Sequence, residues 1–193
     1  MTLNGFLALA LQSVTDPRGV AKLLLSMRLG TEAIATAFAL VIVLNGLVYA
    51  LIELVSPDGS GVMGGPMVVM ALQAATLVLT VVAVTWAGRG LGGAGGMQQI
   101  AVLMIWLQAL RALAQAGILV LLIAIPFLGT LAVFAVFVLG VWIAVHFVDE
   151  AHGFGNLLKA LMVLIVGVLA MAIALSIVLT MVGVTPPGVA DYV

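Results

Sequence analysis

The sequence predicts an all-α polytopic membrane protein with five transmembrane helices, preceded by N-terminal interfacial or cytoplasmic helices. The first observation is composition, because 65% of the 193 residues are hydrophobic and only 7% are charged, whereas a soluble domain has about 25% charged residues. The second is a series of apolar runs, each near the roughly 20 residues that a helix needs to cross a bilayer. The third is that two of the connections between them are rich in Gly and Pro, as loops are.

The five spans are expected at about residues 33–54, 67–88, 99–124, 127–148 and 158–182. The third and fourth come from one apolar run that is too long for a single crossing. We place the break at Pro126, because proline removes a helical hydrogen-bond donor and the nearby Gly129 permits a tight turn. In a four-span alternative, Pro126 would kink one continuous helix. The whole chain, 1–193, is expected to form a single membrane domain.

Residues 1–30 are expected to form the interfacial or cytoplasmic N-terminal segment. Apolar residues at helical one-face spacing favour a helix lying in the membrane surface, with a frayed terminus as the alternative. These residues are Leu3, Phe6, Leu7, Ala10, Leu11 and Val14. Asp16 and Pro17 then predict the start of a second helix, since Asp can accept from first-turn amides and Pro suits the first helical position. No basic residue precedes the apolar start, so a secretory signal is not expected.

The basic residues predict the orientation. Arg18, Lys22 and Arg28 precede the first span, Arg89 follows the second, and Lys159 precedes the fifth. With five spans they all fall on one side, which the positive-inside rule assigns to the cytoplasm. We therefore expect a cytoplasmic N-terminus and a C-terminus on the opposite side. Arg18, Lys22, Arg89 and Lys159 are the candidate residues for a cytoplasmic contact.

Composition also argues against several function classes. The net charge is −1 and the basic residues are scattered, so the positive face that attracts nucleic acid is missing. The absence of cysteine excludes disulfides, thiolate metal sites and cysteine nucleophiles. A hydrolase using Ser176 and His146 is disfavoured, because helical rise separates them by most of the membrane and no Gly-x-Ser-x-Gly is present. We expect no enzyme activity and no cofactor.

The stretch "AVHFVDEAHGFGN" contains, at residues 149–152, the letters of a helicase box. A helicase also needs a Gly-x-x-x-x-Gly-Lys-Ser/Thr phosphate loop, which this chain lacks. The helicase interpretation is therefore excluded. What remains is a polar cluster where the fourth span meets the cytoplasm.

His146, Asp149 and Glu150 would share one face if the fourth helix continues through this cluster. Two carboxylates and an imidazole could hold a divalent cation or relay protons, which makes them a candidate metal or proton site. The alternative is an ordinary polar helix end, closed by a following glycine, with Lys159 as the ion-pair partner.

A polar cluster is also predicted inside the bilayer. Arg111 lies near the middle of the third span, where a charge costs at least about 2.5 kcal/mol. Gln108 and Gln115, three residues before it and four after it, share its helix face. The second span carries a similar polar stripe, and the short loop between the two spans makes them neighbours. The candidate cluster is Arg111, Gln108, Gln115, Gln73, Thr76 and Asn45. It either lines a cavity for an anion or lipid head group or only holds the helices together by hydrogen bonds.

Three stretches resemble the Yip family of Ypt/Rab-interacting membrane proteins, and in particular its bacterial members. "TDPRGVAKLL" resembles the family's pre-membrane segment, "WAGRGLGGAGGMQQIAVLM" its Gly-rich second loop, and "DEAHGFGNLLKALMVLIV" the start of its last span. The resemblance implies a five-helix membrane protein without enzyme activity. Eukaryotic members are linked to Rab GTPases and vesicle traffic, but this chain lacks their long cytoplasmic N-terminal region.

The short N-terminus favours a bacterial inner membrane protein with a periplasmic C-terminus. Its expected role is in membrane organisation, in a trafficking-like process or in protein partnering. Its expected partners are membrane lipids and either another membrane protein or a second copy of itself. The alternative, which rests on the polar residues of the spans, is a small transporter, channel or lipid scramblase with an interior centred on Arg111.

Overall fold

The computed structural model describes residues 3–55 and 65–181, and within these ranges it contains seven α-helices and no strand. The helices are α1 Leu3–Thr15, α2 Pro17–Ser26, α3 Thr31–Val55, α4 Gly65–Gly90, α5 Met97–Ala124, α6 Pro126–His152 and α7 Leu157–Met181. The predicted all-α class is confirmed. Two short helices precede five long ones, as the composition and the apolar runs indicate.

The helices α3 to α7 are long enough to cross a membrane. They contain 25 to 28 residues each, which corresponds to about 38–42 Å at 1.5 Å per residue. The hydrocarbon core of a bilayer is about 30 Å thick. Their mean hydropathy over an 18-residue window is between 1.8 and 3.0. The five-span prediction is thus confirmed within the described residues, and most of the helices extend a few residues beyond the predicted spans.

The break between α5 and α6 falls at the predicted proline. Ile125 leaves the helical conformation, with φ −146° and ψ 86°, and Pro126 takes the first position of α6. Gly129 lies so close to α5 that a Cβ on it would approach Leu122 Cα to 2.8 Å. The proline therefore separates two antiparallel helices, and the four-span alternative is wrong.

The N-terminal helix α1 forms as predicted, so the frayed-terminus alternative is wrong for the described part. Only part of its predicted apolar side packs against the protein, which leaves the rest of that side free to lie in the membrane surface. Leu9, Ala10 and Ser13 are buried, while Leu7, Leu11 and Val14 are exposed. On the buried side, the Trp106 indole N–H of α5 donates to Ser13 Oγ at 3.0 Å. The second predicted helix start is confirmed, because the Asp16 side chain accepts from the Gly19 amide at 2.9 Å.

The helices α1 and α2 lie at one end of the five long helices, and we call this end of the molecule the N-terminal face. Here α3, α5 and α7 begin and α4 and α6 end. The helix α2 packs on α6 and α5, α4 lies against α7, and α5 lies against α6 and α3. One hydrophobic cluster includes residues from all seven helices.

A tightly packed apolar layer crosses the helices below the N-terminal face. Val84, Leu103, Phe147 and Val163 come from four different spans and are completely buried. Each lies five or six residues from the helix end at that face, which corresponds to a depth of about 8–9 Å. Apolar side chains from four spans thus fill the interior of the protein at this depth.

Close approach of spans through small residues is expected from the sequence at Ala170 with Ala174 and at Ala112 with Ala116. Only Ala112 is buried, while Ala116 and Ala170 are exposed. The close approach occurs instead at Gly167 of α7, where a Cβ would lie 3.0 Å from the Val84 Cγ2 atom of α4. The expected pairs are wrong, because packing of the apolar layer fixes the rotation of each helix.

Candidate functional site

A polar cavity lies between α3, α4 and α5, and we call it the Arg111 cavity. Its volume is about 140 Å³ and its lining consists of Asn45, Tyr49, Ile52, Val69, Gln73, Arg111 and Gln115. Arg111 is 14 residues from the start of α5, about 21 Å from the N-terminal face by helical rise. The cavity therefore lies beyond the apolar layer, in the half of the membrane away from that face.

Arg111 is the distinctive group of this cavity. Its side chain is exposed at the cavity, and among residues 3–55 and 65–181 no side-chain hydrogen bond or ion pair involves it. A guanidinium has five N–H donors and stays charged. The carboxamides of Gln73 and Gln115 line the same space. This set of donors suits an anion.

The structure brings four of the six predicted residues to this cavity, namely Arg111, Gln115, Gln73 and Asn45. Asn45 is buried and donates to the backbone oxygens of Val41 at 2.8 Å and Gln108 at 3.4 Å. It thus joins α3 to α5.

The other two predicted residues do not line the cavity. Gln108 contributes its backbone carbonyl to the contact with Asn45, and its own Oε1 is buried without a hydrogen bond among the described residues. The Thr76 carbonyl accepts from the Thr80 hydroxyl at 2.7 Å on its own helix. Tyr49 was not predicted, although it lies one turn after Asn45 on α3 and lines the cavity. Its helical spacing from Asn45 was a usable signal.

A second polar cluster at the N-terminal face is built around Asp149. Its side chain is only 4% exposed and accepts from the Arg18 guanidinium at 2.6 Å. The other carboxylate oxygen accepts from the Asn156 amide at 2.9 Å. The Asp149 carbonyl oxygen accepts from Gly153 and Phe154, and Gly153 ends α6 with φ 67°. One aspartate therefore fixes both the turn from α6 to α7 and the position of α2.

The candidate metal or proton residues are engaged separately. His146 is buried, its Nδ1 lies 2.8 Å from the Trp142 carbonyl oxygen, and the two rings are 4.1 Å apart. Glu150 lies 4.0 Å from Lys22 Nζ, while Asp149 pairs with α2. Among the described residues no three His, Asp or Glu side chains come together as metal ligands would. His146, Asp149 and Glu150 therefore do not form a metal site in this structure.

The helix-end alternative is closer to what the structure contains, but its partner differs. A glycine does close α6, whereas the ion pairs use Arg18 and Lys22 rather than Lys159. The Arg89 Nε donates to the Gly95 carbonyl at 3.3 Å, and the Lys159 side chain is exposed without an ion pair to a described residue. Of the four candidate contact residues, Lys159 is the least engaged. Their role in contacting a partner stays a prediction.

His152 joins the two loops of the N-terminal face. It is fully buried and stacks on Phe154, with ring centroids 5.2 Å apart and planes within 5°. Its Nδ1 lies 3.2 Å from the Val148 carbonyl oxygen, and its Nε2 has no hydrogen-bond partner among the described residues. These contacts of His152 were not predicted from the sequence.

The Gly-rich connection between α4 and α5 wraps around this imidazole. A Cβ at Gly88, Gly93 or Gly95 would overlap its ring atoms. The Ala94 amide donates to the His152 carbonyl oxygen at 3.1 Å. The glycines are thus needed because the backbone contacts the ring directly.

Five apolar helices of spanning length, with two short helices packed across one end, define a polytopic α-helical membrane protein. The model of the Yip1 domain family matches residues 11–178, and the chain therefore belongs to that family. The match confirms the resemblance and runs from α1 to near the end of α7. A search of curated proteins and a search of solved structures found no match.

Proposed function

We propose that this protein is a non-enzymatic integral protein of a bacterial inner membrane, which organises the membrane or holds a partner protein at its N-terminal face. The observation that carries the proposal is the ion pair between Arg18 and Asp149, which joins residues 131 positions apart. It fixes α2 against the ends of the spans before any partner binds. A preformed surface lowers the conformational cost of binding.

The chemistry of the N-terminal face also supports a partner there. Five of the six Lys and Arg residues, all except Arg111, lie at this side, which by the positive-inside rule faces the cytoplasm and leaves the C-terminus in the periplasm. Exposed apolar side chains lie beside them, including Leu23, Met27, Leu91 and Met97. Basic and apolar groups together suit another membrane protein, or a second copy of this chain, at the surface of an anionic leaflet.

The packing of the spans favours partnering over transport. The apolar layer fills the interior about 8–9 Å below the N-terminal face, and the Arg111 cavity lies beyond it. The cavity volume of about 140 Å³ is small, since sites for small molecules usually occupy 300–1,000 Å³. A solute would have to cross packed hydrocarbon to reach the N-terminal face in this conformation.

Photo-crosslinking in native membranes tests the proposal. We expect a photoreactive amino acid at Leu91 or Lys159 to give discrete protein adducts, because both side chains are exposed on the N-terminal face. The matched control is Phe134, which is exposed on α6 in the half of that helix away from the face. We expect Lys159→Glu to lower the adduct yield at Leu91 by about tenfold, because it reverses a charge at the contact. Equal adducts at Phe134, or none at the face, would contradict the proposal.

A small transporter, channel or lipid scramblase is the second candidate, and it is favoured by the Arg111 guanidinium, which has no ion-pair partner among the described residues. A charge at this depth needs solvation, and an anion or a lipid phosphate would supply it. The test is flux of small anions and fluorescent phospholipids in proteoliposomes. If this candidate holds, Arg111→Leu abolishes flux while the matched control Lys159→Leu keeps it. Under the partnering proposal we expect no flux from the wild type or from either variant. If the wild type shows flux and only Arg111→Leu removes it while the protein stays folded, the transport function would replace the partnering proposal.

A further inference from the structure

An apolar groove separates the N-terminal helices from two of the spans, and we call it the α1–α3 groove. Its volume is about 330 Å³, and all of its lining side chains are apolar. They come from α1, α2 and the turn that follows it, α3 and α5, and include Phe6, Leu24, Leu29, Ala37 and Trp106. The groove is separate from the Arg111 cavity and shares no lining residue with it.

Trp106 presents hydrocarbon to the groove. Its indole N–H is already bound, because it donates to Ser13 Oγ at 3.0 Å. Ser13 in turn donates to the Leu9 carbonyl at 2.9 Å. Phe6 packs edge-on against the indole, with ring centroids 5.4 Å apart. No polar group of these aromatic walls is left for a polar ligand, so the occupant must be apolar.

The groove opens toward membrane lipid. Leu40 and Leu44 line it and are at the same time 66% and 39% exposed on α3. The exposed surface of a membrane-spanning helix contacts lipid tails. An occupant can therefore enter sideways from the bilayer without crossing a polar surface.

Size selects the kind of occupant. One methylene group has about the volume of a water molecule, about 30 Å³, so the groove holds roughly eleven of them. A single hydrocarbon chain of this length therefore fits the groove.

A positively charged residue, Arg28, lies next to the groove at the N-terminal face. Arg28 immediately precedes Leu29, which lines the groove, and its side chain is exposed. Among the described residues it makes no ion pair, and Glu32 on the first turn of α3 is not bonded to it. Its φ of 44° is the only positive value at a non-glycine residue in the described ranges. Such a backbone costs about 1 kcal/mol or more, yet the turn has arginine rather than glycine.

We propose that the α1–α3 groove binds one acyl chain of an anionic phospholipid from the leaflet that holds α1 and α2, with its phosphate at Arg28. The groove supplies the apolar contact and Arg28 supplies the charge complementarity. The bound lipid would fasten α1 and α2 to α3 and α5 at the membrane surface. The site does not depend on the partner proposed for the N-terminal face.

Native mass spectrometry of the full chain in mild detergent tests the lipid site, with phosphatidylglycerol and phosphatidylcholine as probes. We expect the wild type to retain phosphatidylglycerol. Ala37→Trp fills the groove and should abolish retention of both lipids. The matched control is Ala135→Trp, which adds the same side chain at an exposed position of α6 and should leave retention unchanged. If Ala37→Trp does not fold, Ala109→Trp fills the groove from the α5 wall.

The charge is tested separately with Arg28→Asn. Asparagine tolerates a positive φ, so the turn is kept while the charge is removed. We expect the preference for phosphatidylglycerol over phosphatidylcholine to fall about fivefold, as for the loss of one basic contact at an anionic lipid. Arg28→Lys should keep most of the preference.

Several outcomes would overturn the proposal. Equal lipid retention in Ala37→Trp and Ala135→Trp would show that the groove is not the site. Competition by soluble glycerol phosphate as strong as by the diacyl lipid would show that no acyl chain is bound. A co-purifying peptide mass in place of lipid would show that a protein segment occupies the groove. An unchanged lipid preference in Arg28→Asn would remove Arg28 from the site.

Discussion

Asp149→Ala should lower the free energy of unfolding by about 2–3 kcal/mol. The substitution leaves the Asn156 amide without its acceptor and Arg18 without its partner, and a lost hydrogen bond to a charged group costs about 1.5–3 kcal/mol. The upper values for breaking a buried ion pair do not apply, because the Arg18 side chain is 45% exposed and water can solvate it. Unfolding can be followed by tryptophan fluorescence and circular dichroism during titration with a denaturing detergent.

Glu150→Ala is the matched control for this experiment. It removes the neighbouring carboxylate, which is 25% exposed and lies 4.0 Å from a largely exposed Lys22. Such a surface pair contributes at most about 1 kcal/mol. A double-mutant cycle of Asp149→Ala with Arg18→Ala then isolates the ion pair from the Asn156 contact. If Asp149→Ala and Glu150→Ala unfold at the same detergent fraction, Asp149 does not hold the N-terminal face together.

The ion pair between Arg18 and Asp149 could be predicted only in part from the sequence. The helix through residues 149 and 150 follows from local signals, namely an apolar run before it and a glycine after it. The ion-pair partner of Asp149 does not follow from them, because nothing in helical spacing selects Arg18 of α2 over the nearby Lys159. Only the packing of α2 across the ends of the spans brings residues 131 positions apart together.

The Arg111 cavity was largely predictable for a different reason. The residues of one helix face are fixed by helical spacing, and a short loop makes α4 and α5 antiparallel neighbours. This was enough to bring together Arg111, Gln115 and Gln73, and the position of Asn45 near the middle of its own span added the fourth residue. It could not place Gln108 or Thr76, because the rotation of each helix about its axis depends on side-chain packing.

The side of a helix that packs against protein was harder to predict than whether the helix crosses the membrane. The length and hydropathy of a helix determine whether it can span the bilayer, and all five spans were found. They do not determine which side faces protein, because lipid tails and protein interiors are both apolar. The apolar side of α1 follows from helical spacing, but the side that packs on the spans does not. On that side the Trp106 indole N–H donates to Ser13 Oγ, a contact between α5 and α1 that helical spacing alone does not reveal.

Gly88→Ala should destabilise the protein by about 1–3 kcal/mol, which is the usual effect of overpacking a core. The added methyl group would overlap the His152 ring. The ring has little room to move, because it is fully buried and stacked on Phe154. Gly90→Ala is the matched control, since no atom lies within 4 Å of a Cβ at that position. The same detergent titration measures both variants.

The sign of the Gly88→Ala effect should reverse when His152 is removed. In a His152→Ala background the methyl group no longer overlaps the imidazole ring, and alanine is better than glycine inside a helix by about 1 kcal/mol. We therefore expect Gly88→Ala to stabilise the His152→Ala protein by up to about 1 kcal/mol. Destabilisation by Gly88→Ala of similar size in both backgrounds would mean that some other contact requires the glycine. A reversal would show that direct contact with the imidazole requires the glycine at position 88.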